Sequence, residues 1–297
     1  MKTILNINNL SKNFGRLQAV KDLSLNVERG NVYGLLGPNG SGKSTTLGMI
    51  LGVVNPSSGD WEWFEGVEQH QALRKIGAII ENPKFYPYLS AYRNLQIVAQ
   101  IKEVPDSKID EKLELVGLLD RKNDKYAGFS LGMKQRLAIA GALLNDPHVL
   151  ILDEPTNGLD PQGIHQIRGL IKTIAAQGTS IILASHLLDE VEKVCSHVVV
   201  LRKGQSLYQG SVAGLLADSG YFEIGSEDTE RLLSVLKNWS AISEMENVSE
   251  NQWRIYTHDP ITGTQINQYL HQNGVAINHL VHKQASLEDK FIAITQS

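Results

Sequence analysis

Cysteine is nearly missing from this sequence: of 297 residues only Cys195 is one. An intrachain disulfide is excluded, and the pattern fits a reducing compartment. Cys195 lies in an apolar-periodic stretch and reads as a small core residue. Long apolar runs are missing too. None approaches the roughly 18 residues that a membrane-spanning helix needs. The opening MKTILNINNLSKNF is broken by Asn and Lys too early to form a signal-peptide core. Any work at a membrane is therefore expected to proceed by docking onto another chain. Basic charge is not in excess, with 28 Lys and Arg against 32 Asp and Glu and a formal charge of -4. That argues against general affinity for nucleic acid, which needs a clustered basic surface. Repeats and low-complexity segments are also lacking.

What remains is ordinary for a globular protein. A hydrophobic content of 42% and a charged content of 20% suffice for a sizeable core. The length suits one larger domain with a smaller one, or a single large domain. Residues 1–36 read as short strands, TILNINNL, DLSLNV and NVYGLLG, the last apolar enough for a central buried strand. A glycine-rich loop follows, then a helix from Lys43 to about Leu51. GDWEWFEG alternates as a half-buried strand, and KIGAII is a further apolar run. Trp61 and Trp63 share one face of the first of these and read as packing residues.

The stretch from about 90 to 145 is expected to be helical, near 90–102, 107–119 and 131–144. In the last, Met133, Leu137, Ala140 and Leu144 form one stripe, and Pro147 follows its end. Strand and helix then alternate through HVLILD, a helix near 161–176, TSIILAS, a helix near 187–195 and HVVVL. That is a parallel α/β core with a helical insertion. Beyond Gly210 the order reads strand, helix, strand, strand, helix, strand, then a helix from Ser286. This resembles a ferredoxin-like βαββαβ unit. The expected domains are 1–210 and 211–297. The second reads as a dimerisation or packing module more readily than as a site for a regulatory small molecule. Its scattered His258, His271, His279 and His282 lack metal-ligand spacing and read as surface residues.

The chemistry begins at Gly37-Pro38-Asn39-Gly40-Ser41-Gly42-Lys43-Ser44, followed by Thr45, which matches G-x-x-x-x-G-K-[ST]. It lies between an apolar strand and an expected helix, the context the pattern requires. The glycines let backbone N–H groups turn toward phosphate oxygens, and the helix start adds a favourable dipole. Lys43 offers a point charge to the β- and γ-phosphates, and the Ser44 hydroxyl can ligate Mg²⁺. A partner for this loop stands at HVLILDE, an apolar strand ending in two acids. Asp153 can stand beside a metal at Ser44, and Glu154 can reach an attacking water as general base. Taken alone, such acids often serve as solvated turn residues. Beside the loop, the catalytic reading prevails.

Here the residues resemble the ABC ATPase family. FSLGMKQR at 129–136 is similar to its LSGGQ-type signature, NGLDP at 157–161 to its D-loop, and His186 in ILASH to its switch histidine. Phe14 stands where the family places an aromatic ring against adenine. The order of motifs agrees from residue 3 to about 210. The resemblance implies a P-loop NTPase core with an antiparallel β subdomain and a helical subdomain. It also implies an ATPase using ATP and Mg²⁺, with Glu154 and His186 in catalysis and Asp160 coupling two sites. On the residues alone, Ser130 is a good N-cap whose hydroxyl, with the Gly132 N–H, can point at an anion. In the family that anion is the γ-phosphate held by the other subunit, which implies a head-to-tail homodimer or heterodimer closing over two ATP molecules.

Two departures stand out. Leu131 replaces the first glycine of the usual signature pair, and Met133 replaces its glutamine. Glu81, in IGAIIENPKFYP, occupies the position of the Q-loop glutamine. It can still offer oxygen to Mg²⁺, but it crowds Asp153 and Glu154, which should raise the pKa of at least one of them. ENPKFYPYLSAYRNL, FSLGMKQRLAIA and SLEDKFIAIT together resemble ATPase subunits of bacterial antibiotic-peptide and drug exporters of the bacitracin-exporter type. Such subunits serve a separate integral membrane permease, from the cytoplasmic face of the cell membrane. Three rivals share the head. Chromosome-structuring and repair ATPases carry long coiled coils, and no sustained heptads occur here. Translation factors of this kind carry two heads in one chain. A non-catalytic scaffold would not need Glu154 and His186.

Overall fold

Short apolar runs set the strands of the larger part of the chain, and they are laid out in two sheets. The computed structural model describes residues 3–81, 84–216, 220–249, 251–259, 261–284 and 286–296. Along the chain come β1 (Thr3–Phe14), β2 (Leu17–Glu28), β3 (Val32–Leu36), α1 (Lys43–Ile50), β4 (Ser58–Trp63), α2 (Gln69–Leu73) and β5 (Ile76–Ile79). The helical stretch holds α3 (Ala91–Ile101), α4 (Ser107–Leu115) and α5 (Leu131–Leu143). Then follow β6 (Val149–Asp153), α6 (Pro161–Ala176), β7 (Ser180–Ser185), α7 (Leu188–Val194), β8 (His197–Arg202) and β9 (Gln205–Ser211).

β5, β6, β7, β3, β8 and β9 stand in that order in a six-stranded sheet. The first five are parallel and β9 is antiparallel to β8. The central strands are buried at every residue, as a parallel sheet covered on both faces requires. β2, β1 and β4 form an antiparallel sheet. A shared core between the sheets holds Leu5, Ile7, Leu35, Leu47, Met49 and Trp63. Trp63 is 2% exposed and its indole N–H donates to Ile50 O at 2.8 Å, while Trp61 packs against the same cluster. Cys195 is buried, and burial pushes its thiol pKa up.

α6 has the expected bounds for visible reasons. Asp160 caps it, Pro161 takes the first turn, and Ile167, Leu170, Ile171 and Ile174 form its buried stripe. α4 ends at Leu115, short of the expected 119, because Gly117 follows with a φ of 65° and its N–H turns back to Glu114 O. β9 was not expected. Its pairing with β8 is set by the turn at Lys203 and Gly204, both at positive φ. No helix among the described residues is long and apolar enough to cross a membrane.

The chain divides after Val212, and a second compact unit runs from Ala213 to Ala293. It contains α8 (Val212–Leu216) from Ala213 on, β10 (Gly220–Gly225), α9 (Thr229–Lys237), β11 (Ile242–Ser249), β12 (Gln252–Thr257), α10 (Gly263–Gln272), β13 (His279–Gln284) and most of α11 (Leu287–Gln296). The sheet order is β11-β12-β10-β13, antiparallel throughout, the arrangement of a βαββαβ unit. Phe222, Ile224, Leu232, Leu236, Ile255, Ile266 and Leu270 form its core, and Trp239 stacks on Tyr269 at 4.0 Å. The last strand begins four residues later than the apolar run at Val275 suggests. Val275 is buried as a core plug in the connection instead. His282 is exposed as expected, yet its ring stacks on Phe222 at 4.4 Å, and His279 is half-buried.

Candidate functional site

Three parallel strands end at one corner of the six-stranded sheet, and each delivers functional side chains there. β3 runs into the glycine loop and α1. Gly42, the residue before α1, has a φ of 106°, and a Cβ there would lie 2.6 Å from Ala19 O. Any side chain would strain both the backbone and the β2 contact. The loop is braced from behind by the unforeseen β8–β9 turn: Gly204 N donates to Ser41 O at 3.1 Å, and Lys21 N donates to Gly204 O at 2.8 Å. Asn39, Gly40, Gly42, Lys43, Ser44 and Thr45 line a cleft of about 220 Å³, with Glu154 at its edge. Gly37 and Ser41 lie beneath, buried, while Pro38 is exposed at the rim. Phe14 is 51% exposed at the tip of the β1–β2 hairpin, with Lys12 Nζ 4.9 Å from its ring centre.

Lys43 is 6% exposed, so its amine must be paired. It donates to Gly37 O at 2.9 Å and Pro38 O at 3.4 Å, and it stands 3.4 Å from Glu154 Oε1. The other oxygen of Glu154 lies 2.7 Å from His186 Nδ1. Glu154 follows β6, and His186 follows β7 in the neighbouring register position. Glu154 N donates to Ala184 O, which extends the ladder one residue beyond the end of β6. Glu154 has a φ of 48° and Glu81 one of 64°. Left-handed backbone at such residues costs about 1–3 kcal/mol each, and it clusters at functional sites.

Asp153 closes β6 at 6% exposure and accepts a hydrogen bond from Ser44. Its pKa is raised above the ordinary carboxylate value. Burial is the main cause, the Ser44 bond and the Lys43 charge oppose it, and the Glu154 and Glu81 charges add to it. The crowding of acids expected from the sequence is thus present at this residue. Asp153 Oδ1 and Ser41 Oγ are buried without a hydrogen-bond partner. An oxygen-seeking cation fits a hydroxyl, a carboxylate with an orphaned oxygen and phosphate oxygens. No cluster of three or more His, Cys, Asp or Glu able to hold a metal occurs among the described residues, so such a cation would depend on the phosphates for its remaining ligands.

The remaining site residues lie together but elsewhere. Ser130 caps α5 by accepting from Met133 N at 3.3 Å, and Asp160 caps α6 by accepting from Gly163 N at 3.0 Å. These two helix starts, with Leu131, Gly132 and Met133, line a cavity of about 420 Å³ that shares no lining residue with the phosphate-loop cleft. Sequence reasoning missed how Gly158 and Leu159 contribute here. The D-loop resemblance of NGLDP covered both residues but gave neither a place beside the start of α5.

A profile of the ABC transporter family matches residues 20–157. The bacitracin transport ATP-binding protein of Bacillus licheniformis is 38% identical over 99% of this chain and 98% of its own length. The lantibiotic transport ATP-binding protein of Streptococcus pyogenes is 42% identical over 71% of this chain and 92% of its own. Among solved structures, a dimeric ATP-binding cassette in a post-hydrolysis state with ADP and phosphate is 25% identical, with a TM-score of 0.62 over 70% of this chain and 99% of that one. The chain belongs to the ABC transporter family, as an ATP-binding and ATP-hydrolysing subunit coupled to transport.

Proposed function

We propose that this subunit powers export of a peptide antibiotic through a separate membrane permease, docked at the inner face of the cell membrane. The observation that carries this reading is the match to the bacitracin transport protein. It runs over 99% of this chain and 98% of that one, C-terminal unit included. The groove of about 480 Å³ lined by Ile79, Glu81, Phe85, Val98 and Lys102 is where the permease would bear on the nucleotide site.

Two subunits would close head to tail over two ATP molecules. The separate positions of the phosphate-loop cleft and the signature cavity support this, since one chain's halves do not meet around one nucleotide. Phe14 would stack on adenine, and residues 37–45 would hold the phosphates. Ser44 and Asp153, with Glu81 beside them, would hold Mg²⁺, whose charge would neutralise the phosphate oxygens. Glu154 acts as general base toward the attacking water. Before ATP arrives it is held by Lys43 and His186, the two groups that would turn to the γ-phosphate. ATP therefore releases the base as it enters. Ser130 and Gly132 of one subunit would cover the other's γ-phosphate, and Asp160 would link the two sites.

The test is to express the chain together with the permease subunits of a bacitracin-type exporter and measure tolerance to bacitracin and to a lantibiotic. The wild type should raise tolerance at least several-fold and Glu154→Gln should not. Co-purification without any gain in tolerance would sink the substrate assignment while leaving the ATPase intact.

A further inference from the structure

Leu131, the departure from the usual signature, has a partner on its own chain. The residues around the two facing caps are arranged in opposite order, Ser130-Leu131-Gly132 at α5 and Gly158-Leu159-Asp160 at α6. Each leucine end reaches toward the glycine of the other segment, Leu131 closely and Leu159 more loosely. A Cβ at Gly158 would lie 3.2 Å from Leu131 Cδ2, and one at Gly132 would lie 3.9 Å from Leu159 Cδ2. Gly158 has a φ of 74°, so its backbone favours glycine there, and the end of Leu131 would have to give by a few tenths of an ångström to admit a Cβ. A glycine at position 131 would leave Gly158 without this contact.

The turn so held leads straight to Glu154. Asn157 N donates to Glu154 O at 3.1 Å, and Leu159 N donates to Thr156 O at 3.2 Å. Thr156 is 6% exposed and anchors the middle of the segment. A residue in left-handed backbone, as Glu154 is, persists only when its surroundings over-determine it.

We propose that Leu131 is a positioning residue: with Leu159 it clasps the start of α5 to the Glu154–Asp160 turn and so fixes the setting of Glu154. The kinetic part rests on Glu154 being the general base.

The test uses the full-length chain. Leu131→Ala keeps a good helix former at the first position of α5 and removes the reaching methyls. It should lower kcat for ATP hydrolysis about fivefold with the half-saturating ATP concentration within about twofold. Hydrogen exchange at the amides of Asn157 and Leu159 in nucleotide-free protein should quicken about tenfold. Leu131→Met should restore both. Should Leu131→Ala fail to fold, Leu159→Ala attacks the other half of the clasp and should give the same exchange signature. Unchanged exchange at these amides overturns the proposal. So does a raised half-saturating ATP concentration at constant kcat, which would place Leu131 against the partner's nucleotide instead. If Glu154→Gln keeps its turnover, the base assignment fails, and the exchange measurement still decides whether the clasp exists.

Discussion

Asp153 in the nucleotide-binding unit and Glu223 in the C-terminal unit are almost equally hidden, at 6% and 7% exposure, and their surroundings treat them in opposite ways. Glu223 lies between Lys283, at 2.7 Å, and Arg254, at 3.6 Å. Arg254 also reaches Glu246 at 3.2 Å and lies over the Tyr221 ring at 4.3 Å. Those cations hold the Glu223 carboxyl below its ordinary pKa, the Lys283 hydrogen bond first, against a smaller opposing effect of burial. Asp153 has one hydrogen bond, an orphaned oxygen, two acids nearby and a raised pKa. A carboxylate compensated within the fold supports that fold. One left uncompensated is poised for something that arrives.

The contrast is tested most severely at Glu154, beside Asp153. Glu154→Gln should lower ATP turnover about 10²–10⁴-fold while the affinity for ATP is kept. Exchange protection of β10 and β12 should not move. Turnover near the wild-type rate would remove the general base and with it the functional half of the comparison.

Asp153→Asn comes next. Folding raises this acid's pKa, so its contribution is fully present below the ordinary 3.8 and is lost as pH rises through the folded value. Removing the charge should therefore raise the melting midpoint of nucleotide-free protein at pH 7, by about 2–4 °C if the relief is about 1 kcal/mol. The same change should abolish Mg²⁺-dependent hydrolysis. A lowered midpoint would make Asp153 a structural acid like Glu223.

Glu223 should behave in the reverse sense. Its contribution is fully present above the ordinary 4.5 and is lost as pH falls through the depressed folded value. Glu223→Gln should flatten the acid loss of protection in β10 and β12 and leave neutral-pH ATP turnover within about twofold. An unaltered acid profile would mean that Lys283 and Arg254 do no more than neutralise surface charge.

How far each unit was legible in the sequence follows from the same division. The phosphate loop, the two acids that end HVLILDE and the 161–176 helix could be read because their cues are local: a fixed spacing, an apolar run, a cap and a stripe. The pairing of Glu154 with His186 joins residues from two strand ends; resemblance placed both in catalysis but did not pair them. β9 escaped because its exposure alternates weakly and its reason to exist lies in β8 and in the loop it braces. Val275 misled because an apolar side chain plugging a core from a connection looks like the start of a strand. The Leu–Gly clasp could not be read at all. Its halves are ordinary dipeptides until two helix starts are brought together.

The smallest effect belongs to a cap, and caps occur in both units. Thr262 accepts from Gln265 N at 3.3 Å while Gln265 Oε1 accepts from Thr262 N at 2.8 Å, a reciprocal box that starts α10. Asp160 does comparable work at α6, but its cap borders the signature cavity. Thr262→Ala should cost about 1 kcal/mol locally and be seen as faster exchange in the first turn of α10, with ATP turnover unchanged. Asp160→Ala should cost a similar amount locally and lower turnover as well, because that cap also fixes the loop leading back to Glu154. Equal kinetic effects from the two substitutions would mean that turnover follows overall stability, and the division between a self-satisfied unit and a poised one would fail.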